Sequence, residues 1–238
     1  MNQKNRHRLF FDPDYFSSKQ FNHISSENLL SQVTELKSHP LVSHNLALLR
    51  SKATDSQGFR EAAKRLSQLV FVSSTESLNT VEQLIETPLK ETVEQVLAED
   101  IWLVPVLRAG LAMVDVGLDL IPEAHVGFIG LFRDETSLEP QYYYKNLPDF
   151  SRGAHQCYLL DPMLATGGSA VAAIDLLKEH GATNICLLNL ISAPEGIKEV
   201  FAKHKDLSIF TASVDECLND RGYIVPGLGD AGDRFFGT

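Results

Sequence analysis

The residues best suited to chemistry lie together in Asp161-Pro162-Met163-Leu164-Ala165-Thr166-Gly167-Gly168-Ser169. An apolar run ends at Leu160 and an acid follows at once. A turn of small and hydroxyl residues then leads into a pattern that reads as a helix over 169–180. A strand, an unencumbered turn and a helix N-terminus make an anion site, because unpaired backbone N–H groups and the positive end of the helix dipole point at one place. Gly167 and Gly168 let the backbone approach a phosphate closely, and Thr166 and Ser169 add hydroxyl donors. Asp161 is itself an anion. It is unsuited to the phosphate and suited to the hydroxyls of a sugar attached to it.

These residues need a frame. Continuous apolar runs predict strands over 101–107, 126–132, 155–160, 185–191 and 209–214. Helical patterns cover 59–70, 111–121, 169–180 and 194–203. Pro122 stops the second of these, Gly181 ends the third and Pro194 opens the fourth. Thr87-Pro88 reads as an N-cap with proline at the first helical position, predicting a further helix over 87–98. Apolar strands alternating with helices predict an α/β fold with a mostly parallel sheet flanked by helices. Ligands in such sheets bind at the carboxyl ends of strands. Arg108, Arg133 and Asp161 each fall just past a strand end, so one cleft can collect all three. Residues 133–148, with Tyr142, Tyr143, Tyr144 and Lys145 between prolines, hold no regular core pattern and read as a surface hairpin whose aromatics pack on the body or on another subunit.

The domain is expected over 38–238. Residues 1–37 are expected to be an N-terminal extension with an aromatic patch of Phe10, Phe11, Tyr15, Phe16 and Phe21. A length of 238 residues suffices for one sizeable core. No run of about 18 apolar residues occurs, and the start is not built like a secretory signal, so no membrane partner is expected. Cys157 and Cys186 lie in apolar strands, where reduced buried thiols are usual, and a cytoplasmic location follows. The formal charge of −10 opposes a general nucleic-acid partner.

Gly227-Leu-Gly229-Asp-Ala-Gly232 satisfies a dinucleotide fingerprint, but only six residues follow it, too few for a βαβ unit. No lysine follows Gly167-Gly168, which excludes a Walker A loop. The histidines show no paired metal-ligand spacing. His39 reads as structural, and His180 and His204 as surface residues near helix ends.

The nine residues from Asp161 to Ser169 resemble the phosphoribosyl-diphosphate (PRPP) loop of phosphoribosyltransferases, in the form carried by uracil phosphoribosyltransferases, where proline follows a single acid. Three further blocks resemble the same family in the same order: Pro105-Val106-Leu107-Arg108-Ala109-Gly110-Leu111, then Phe132-Arg133-Asp134 with Leu138-Glu139-Pro140, then the tail from Gly222 to Arg234. The resemblance implies transfer of phosphoribose from PRPP to uracil N1, giving UMP and diphosphate. It implies PRPP binding by Arg108, Arg133, Asp230 and every residue from Asp161 through Pro162, Met163, Leu164, Ala165, Thr166, Gly167 and Gly168 to Ser169. Uracil would be read around Ile224, Gly229, Asp230 and Ala231, and Asp161, Arg133 and Asp230 would carry catalysis. No side chain is assigned to a metal; Mg2+ is expected to come with PRPP. A projecting hairpin or loop over 133–148, acting as a lid or a subunit contact, is implied, as is a homodimer or homotetramer, with GTP as an effector in some members. The segment Val72-Ser73-Ser74-Thr75 departs from the family pattern where regulation and subunit contacts are concerned. A phosphoribosyltransferase-like regulator would need a basic face, and a noncatalytic assembly subunit would have lost site residues. Neither description fits this chain.

Overall fold

The computed structural model describes residues 32–133, 140–151 and 153–238. In chain order these form β1 (Val33–Glu35), α1 (Pro40–Arg50), α2 (Ser56–Ser74), β2 (Thr80–Glu86), β3 (Glu91–Leu97), β4 (Asp100–Leu107), α3 (Leu111–Leu120), β5 (His125–Val126) and β6 (Phe128–Arg133). Then come β7 (Pro140–Asn146), β8 (His155–Leu160), β9 (Met163–Leu164), α4 (Gly168–Glu179), β10 (Ile185–Ser192), α5 (Pro194–Lys203), β11 (Ser208–Val214), β12 (Cys217–Leu218), β13 (Ile224–Val225) and α6 (Ala231–Phe236).

The main sheet has the order β1-β11-β10-β8-β4-β6-β7, with β5 added to β4 and β9 to β10. Every pairing in it is parallel except β6 with β7. The central strands β8 and β10 are buried along their whole length, which is why they read as unbroken apolar runs. Two cores lie on opposite faces. Leu46, Phe59, Leu66, Phe71, Met113 and Phe235 fill the one under α1, α2, α3 and α6. Ile174, Leu177, Val200 and Phe201 fill the one under α4 and α5. Burying one such side chain contributes about 1.5–3 kcal/mol. The short α6 would not persist alone; the edge-on contact of Phe235 with Phe59, centroids 4.9 Å apart, fixes it to α2.

Local signals explain the helix starts. His39 accepts from Leu41 N at 3.2 Å ahead of Pro40, and Asp55 accepts from Gly58 N at 2.8 Å. His39 is thus the structural residue the sequence suggests.

Residues 87–98 do not form the expected helix. β2 and β3 pair as an antiparallel hairpin from Thr80↔Leu97 to Glu86↔Glu91. Thr87 Oγ1 accepts from Leu89 N and Lys90 N at 3.2 and 3.1 Å and donates to Lys90 O at 2.8 Å. A threonine hydroxyl closing a turn makes the same local bonds as one capping a helix, so Thr-Pro alone cannot tell the two apart. The hairpin stands clear of the body: every residue of β2 is exposed, and Leu89 at its tip is 95% exposed.

His204 also differs from its surface reading. It is buried at the end of α5, and its Nε2 lies 3.3 Å from Asp175 Oδ1 without the alignment of a hydrogen bond. Burial, with Lys178 nearby, lowers its pKa and favours the neutral ring. Residues 133–148 do not hold both arms of the expected hairpin: Pro140–Asn146 forms β7, an antiparallel edge strand of the main sheet, and its partner is β6, the strand expected over 126–132, with residues 134–139 outside the described part. The aromatic patch at 10–21 also lies outside the described residues. Val33–Glu35, within the segment expected to be an extension, adds an edge strand along β11.

Candidate active site

Asp161 follows β8 directly. The Pro162 carbonyl accepts from Leu190 N and Ile191 N at 3.0 and 3.1 Å, and Leu164 O accepts from Ala193 N at 2.8 Å. Met163 and Leu164 pair with Ile191 and Ser192. The first half of the loop is therefore stitched to β10. In the second half, Gly167 takes φ +88° and α4 starts without a side-chain cap bond, so its first-turn amides are not capped from within the loop. The loop packs tightly on α5. A Cβ at Gly167 would meet Gly196 O at 2.9 Å, and one at Gly196 would lie 2.3 Å from Ala165 O.

Asp161 is half-buried by accessible surface, but its carboxyl sits deep among protein atoms. The depth decides its titration. Loss of hydration pushes the carboxyl up to about 6, opposed only by Met163 N, which donates to Oδ1 at 3.3 Å. Asn189 Nδ2 donates to the Asp161 carbonyl at 2.6 Å and anchors its backbone.

Arg108 follows β4 across a cis Leu107–Arg108 peptide. Gly110 N bonds Val106 O at 2.9 Å, and a Cβ at Gly110 would lie 2.3 Å from Leu160 O, so this turn rests on the end of β8. Arg108 is exposed, with no acidic partner among the described residues; its guanidinium lies 5.9 Å from the Phe236 ring centroid. Arg133 is the last residue of β6. Arg133, Arg108 and Asp161 therefore stand at the carboxyl ends of three adjacent parallel strands, β6, β4 and β8.

The tail closes the other side. Its β12–β13 ribbon is tied to α5, where Glu195 accepts from Leu218 N at 3.1 Å. A Cβ at Gly222 would lie 3.5 Å from Thr166 Cγ2, which sets the tail beside the phosphate loop. Ile224 and Ala231 are buried, while Gly229 (φ +84°) and Asp230 are exposed. Asp230 caps α6 by accepting from Asp233 N at 2.9 Å. Arg234 Nη1 donates to Leu49 O and Leu228 O at 2.6 and 2.9 Å, Nη2 donates to Ser51 O at 2.8 Å, and the guanidinium stacks 4.3 Å from the Phe59 ring centroid. A separate cleft lined by Arg60, Lys64, Leu111, Asp115 and Phe236 contains none of the residues expected to bind substrate.

Sequence reasoning missed Gly110, Gly196 and Asn189, and gave Arg234 no role. Gly196, two residues past the proline that opens α5, carries no signal of its own. Gly110 was visible as a small residue inside a matching block.

The family model described as uracil phosphoribosyltransferase matches residues 36–238. The chain belongs to the uracil phosphoribosyltransferase family. It is 52% identical over 203 residues to a uracil phosphoribosyltransferase of Roseiflexus sp. (strain RS-1), covering 85% of this chain and 97% of that one. A uracil phosphoribosyltransferase of Clostridioides difficile (strain 630) is 50% identical over 210 residues, covering 88% of this chain and all of its own. The solved structure of the AQ2163 protein from Aquifex aeolicus superimposes with a TM-score of 0.80 at 38% identity, covering 86% of this chain and 97% of that one.

Proposed function

We propose that the protein transfers the phosphoribosyl group of PRPP to N1 of uracil, releasing diphosphate and leaving UMP. The observation that carries this reading is the placement of Arg133, Arg108 and Asp161 at three neighbouring strand ends, around a loop whose helix start carries no side-chain cap and that the C-terminal tail touches. In the reaction the bond from C1 to diphosphate breaks, a C1–N1 bond forms and the base loses its N1 proton. Positive charge develops on the ribosyl ring and negative charge on the leaving group, so catalysis can rest on positioning and electrostatics without a covalent nucleophile.

Residues from Ala165 to Ser169 hold the 5-phosphate with backbone amides and hydroxyls, beyond Pro162, Met163 and Leu164, which set the loop's course. Asp161 accepts from the ribose hydroxyls. Arg108 and Arg133 hold the diphosphate. Main-chain groups around Ile224, Gly229 and Ala231 would read the uracil edge, and Asp230, which has one oxygen engaged as a cap, would sit between base and PRPP.

Mg2+ fits this arrangement. Among the described residues no three acid, histidine or cysteine side chains are grouped to hold a metal. Mg2+ would arrive on PRPP oxygens and keep much of its water. The buried, desolvated Asp161 carboxylate is a group that a cation-bearing substrate would stabilise. When bound, Mg2+ supplies neutralisation of the diphosphate charge.

The working unit we take to be 38–238, with the strand at Val33–Glu35 pinned to its sheet edge. A homo-oligomer is supported by the free β2–β3 hairpin, whose exposed Val81, Leu84, Ile85 and Val93 exceed what a solvated ribbon needs. GTP would be an effector of that assembly. Two buried free thiols, Cys157 and Cys186, support a reducing cytoplasmic setting, and no helix among the described residues is long and apolar enough to cross a membrane. The test is diphosphate release from PRPP with uracil, cytosine, hypoxanthine and orotate in turn, with Mg2+ and after its chelation. UMP formation with uracil alone, lost on chelation, is expected; turnover of another base without uracil refutes the reading.

A further inference from the structure

We infer that Arg50 and Asp215 are positioning residues for base recognition: together they grip both polar backbone groups of Gly227 and so fix the base-reading tail relative to the phosphate loop. The inference rests on the tail reading uracil, as proposed above.

Arg50 ends α1 and Asp215 follows β11, so 165 positions separate them. Their side chains meet as a two-pronged pair, Nη2 to Oδ1 at 2.5 Å and Nη1 to Oδ2 at 2.6 Å, with the Asp215 side chain only 1% exposed. The pair does not end there. Arg50 Nη1 also donates to Gly227 O at 2.9 Å, and Gly227 N donates to Asp215 Oδ2 at 3.0 Å. Ser213 Oγ donates to Oδ1 at 3.0 Å. A carboxylate offers about four lone-pair directions, and here all are taken.

The same acid is tied to the other half of the site. Asp215 N donates to Ser192 O at 2.8 Å, and Ser192 pairs with Leu164 of the phosphate loop. A line of bonds therefore runs from the loop through Ser192 and Asp215 to Gly227, two residues ahead of the exposed Gly229. The turn it holds has no slack: Gly227 has φ +64°, and a Cβ there would lie 2.1 Å from Ile224 O. A buried ion pair is a poor way to gain stability, since apolar residues of the same volume often do as well. What apolar residues cannot do is donate to one side of a backbone turn and accept from the other.

The test uses the full chain. Arg50→Lys and Asp215→Asn are expected to raise KM for uracil about tenfold or more while KM for PRPP stays within about twofold, part of the roughly 100-fold loss that a misplacement near 1 Å brings. Ser213→Ala removes one bond to Asp215 and one to Arg50 but none to Gly227, so it should lower Tm and leave the ratio of the two KM values unchanged. Equal changes in both KM values, or an unmoved uracil KM in folded variants, overturn the inference. A wild-type protein that makes no UMP overturns the functional reading beneath it instead. Hydrogen exchange on the wild type decides the matter if the variants do not fold. The Gly227 amide should exchange as slowly as those of β11, and exchange as fast as the Gly229 amide refutes the clamp.

Discussion

The phosphate loop and the base-reading tail lie side by side at one cleft, yet they are stiffened by opposite means. The loop is held by near neighbours: main-chain bonds from Pro162 and Leu164 to β10 and the cap of α5, and close backbone packing against Gly196. The tail is held by long side chains crossing the chain, Arg50 reaching Gly227 over 177 positions and Arg234 reaching Leu49 over 185. Regions built the first way fail when atoms are added. Regions built the second way fail when atoms are removed.

Gly196→Ala is the sharpest probe of this contrast. Its new methyl would lie 2.3 Å from Ala165 O, so the loop must shift. A fall of about 100-fold in kcat/KM for PRPP is expected, as a misplacement of about 1 Å brings. Wild-type PRPP kinetics in this variant would break the contrast. Arg108→Ala should cost about 100-fold in the same quantity by removing one charge-stabilising donor. Because Arg108 is exposed and touches little, Tm should hold. A large Tm loss would make it structural.

Arg234→Ala deletes four donations to carbonyls, those of Leu49, Leu228, Ser51 and Thr54, and a ring contact. A loss of about 3 kcal/mol in unfolding free energy is expected, since hydrogen bonds from charged groups are worth about 1.5–3 kcal/mol each and relaxation recovers part. Urea denaturation measures it, and the uracil KM should rise with it.

Asp161→Asn should weaken PRPP binding and at the same time stabilise the free protein. The folded carboxyl titrates near 6, above its usual 3.8, so the wild type loses stability as pH rises from about 4 through 6. The variant does not. Its advantage should be on the order of 1–3 kcal/mol at pH 7 and vanish below pH 4. Tm measured across that range reads the sign, and an unchanged difference at all pH values refutes the buried charge.

Gly229→Ala is the mildest. The nearest atom to the added methyl is Arg234 Cδ at 3.8 Å, so only the φ of +84° resists. The cost should be about 1–2 kcal/mol. It should appear in uracil affinity and leave PRPP affinity unchanged.

What the sequence revealed follows the same division. Asp161 to Ser169 is a contiguous device, so its strand, turn and helix start are legible in order, and the buried strands announce themselves as apolar runs. The tail's supports are not contiguous. Arg50 lies outside every helix the sequence predicts, and nothing nearby indicates a partner 165 positions on. Asp215 did carry a signal: like Asp161, it is an acid one step past an apolar strand, the position where parallel sheets place their working groups. The β2–β3 hairpin was missed because Thr87 bonds as a cap would, and because a ribbon free on both faces shows no clean alternation of buried and exposed residues.

The edge strand at Val33–Glu35 has a practical consequence for anyone who wishes to tether this enzyme. Gln32 O accepts from Ile209 N at 2.9 Å and Gln32 Nε2 donates to Lys205 O at 2.8 Å, so the backbone enters beside the start of β11. Asp215 and the cleft lie at the other end of that strand, roughly 20 Å away at about 3.3 Å per residue. A linker leading to a bead, a dye or a fused protein and joined ahead of Gln32 thus departs from the rear rim. One joined after Thr238 departs beside α6, whose Phe236 ring faces Arg108. Attachment at Gln32 itself, in place of residues 1–31, starts the linker at the end of the sheet away from the cleft.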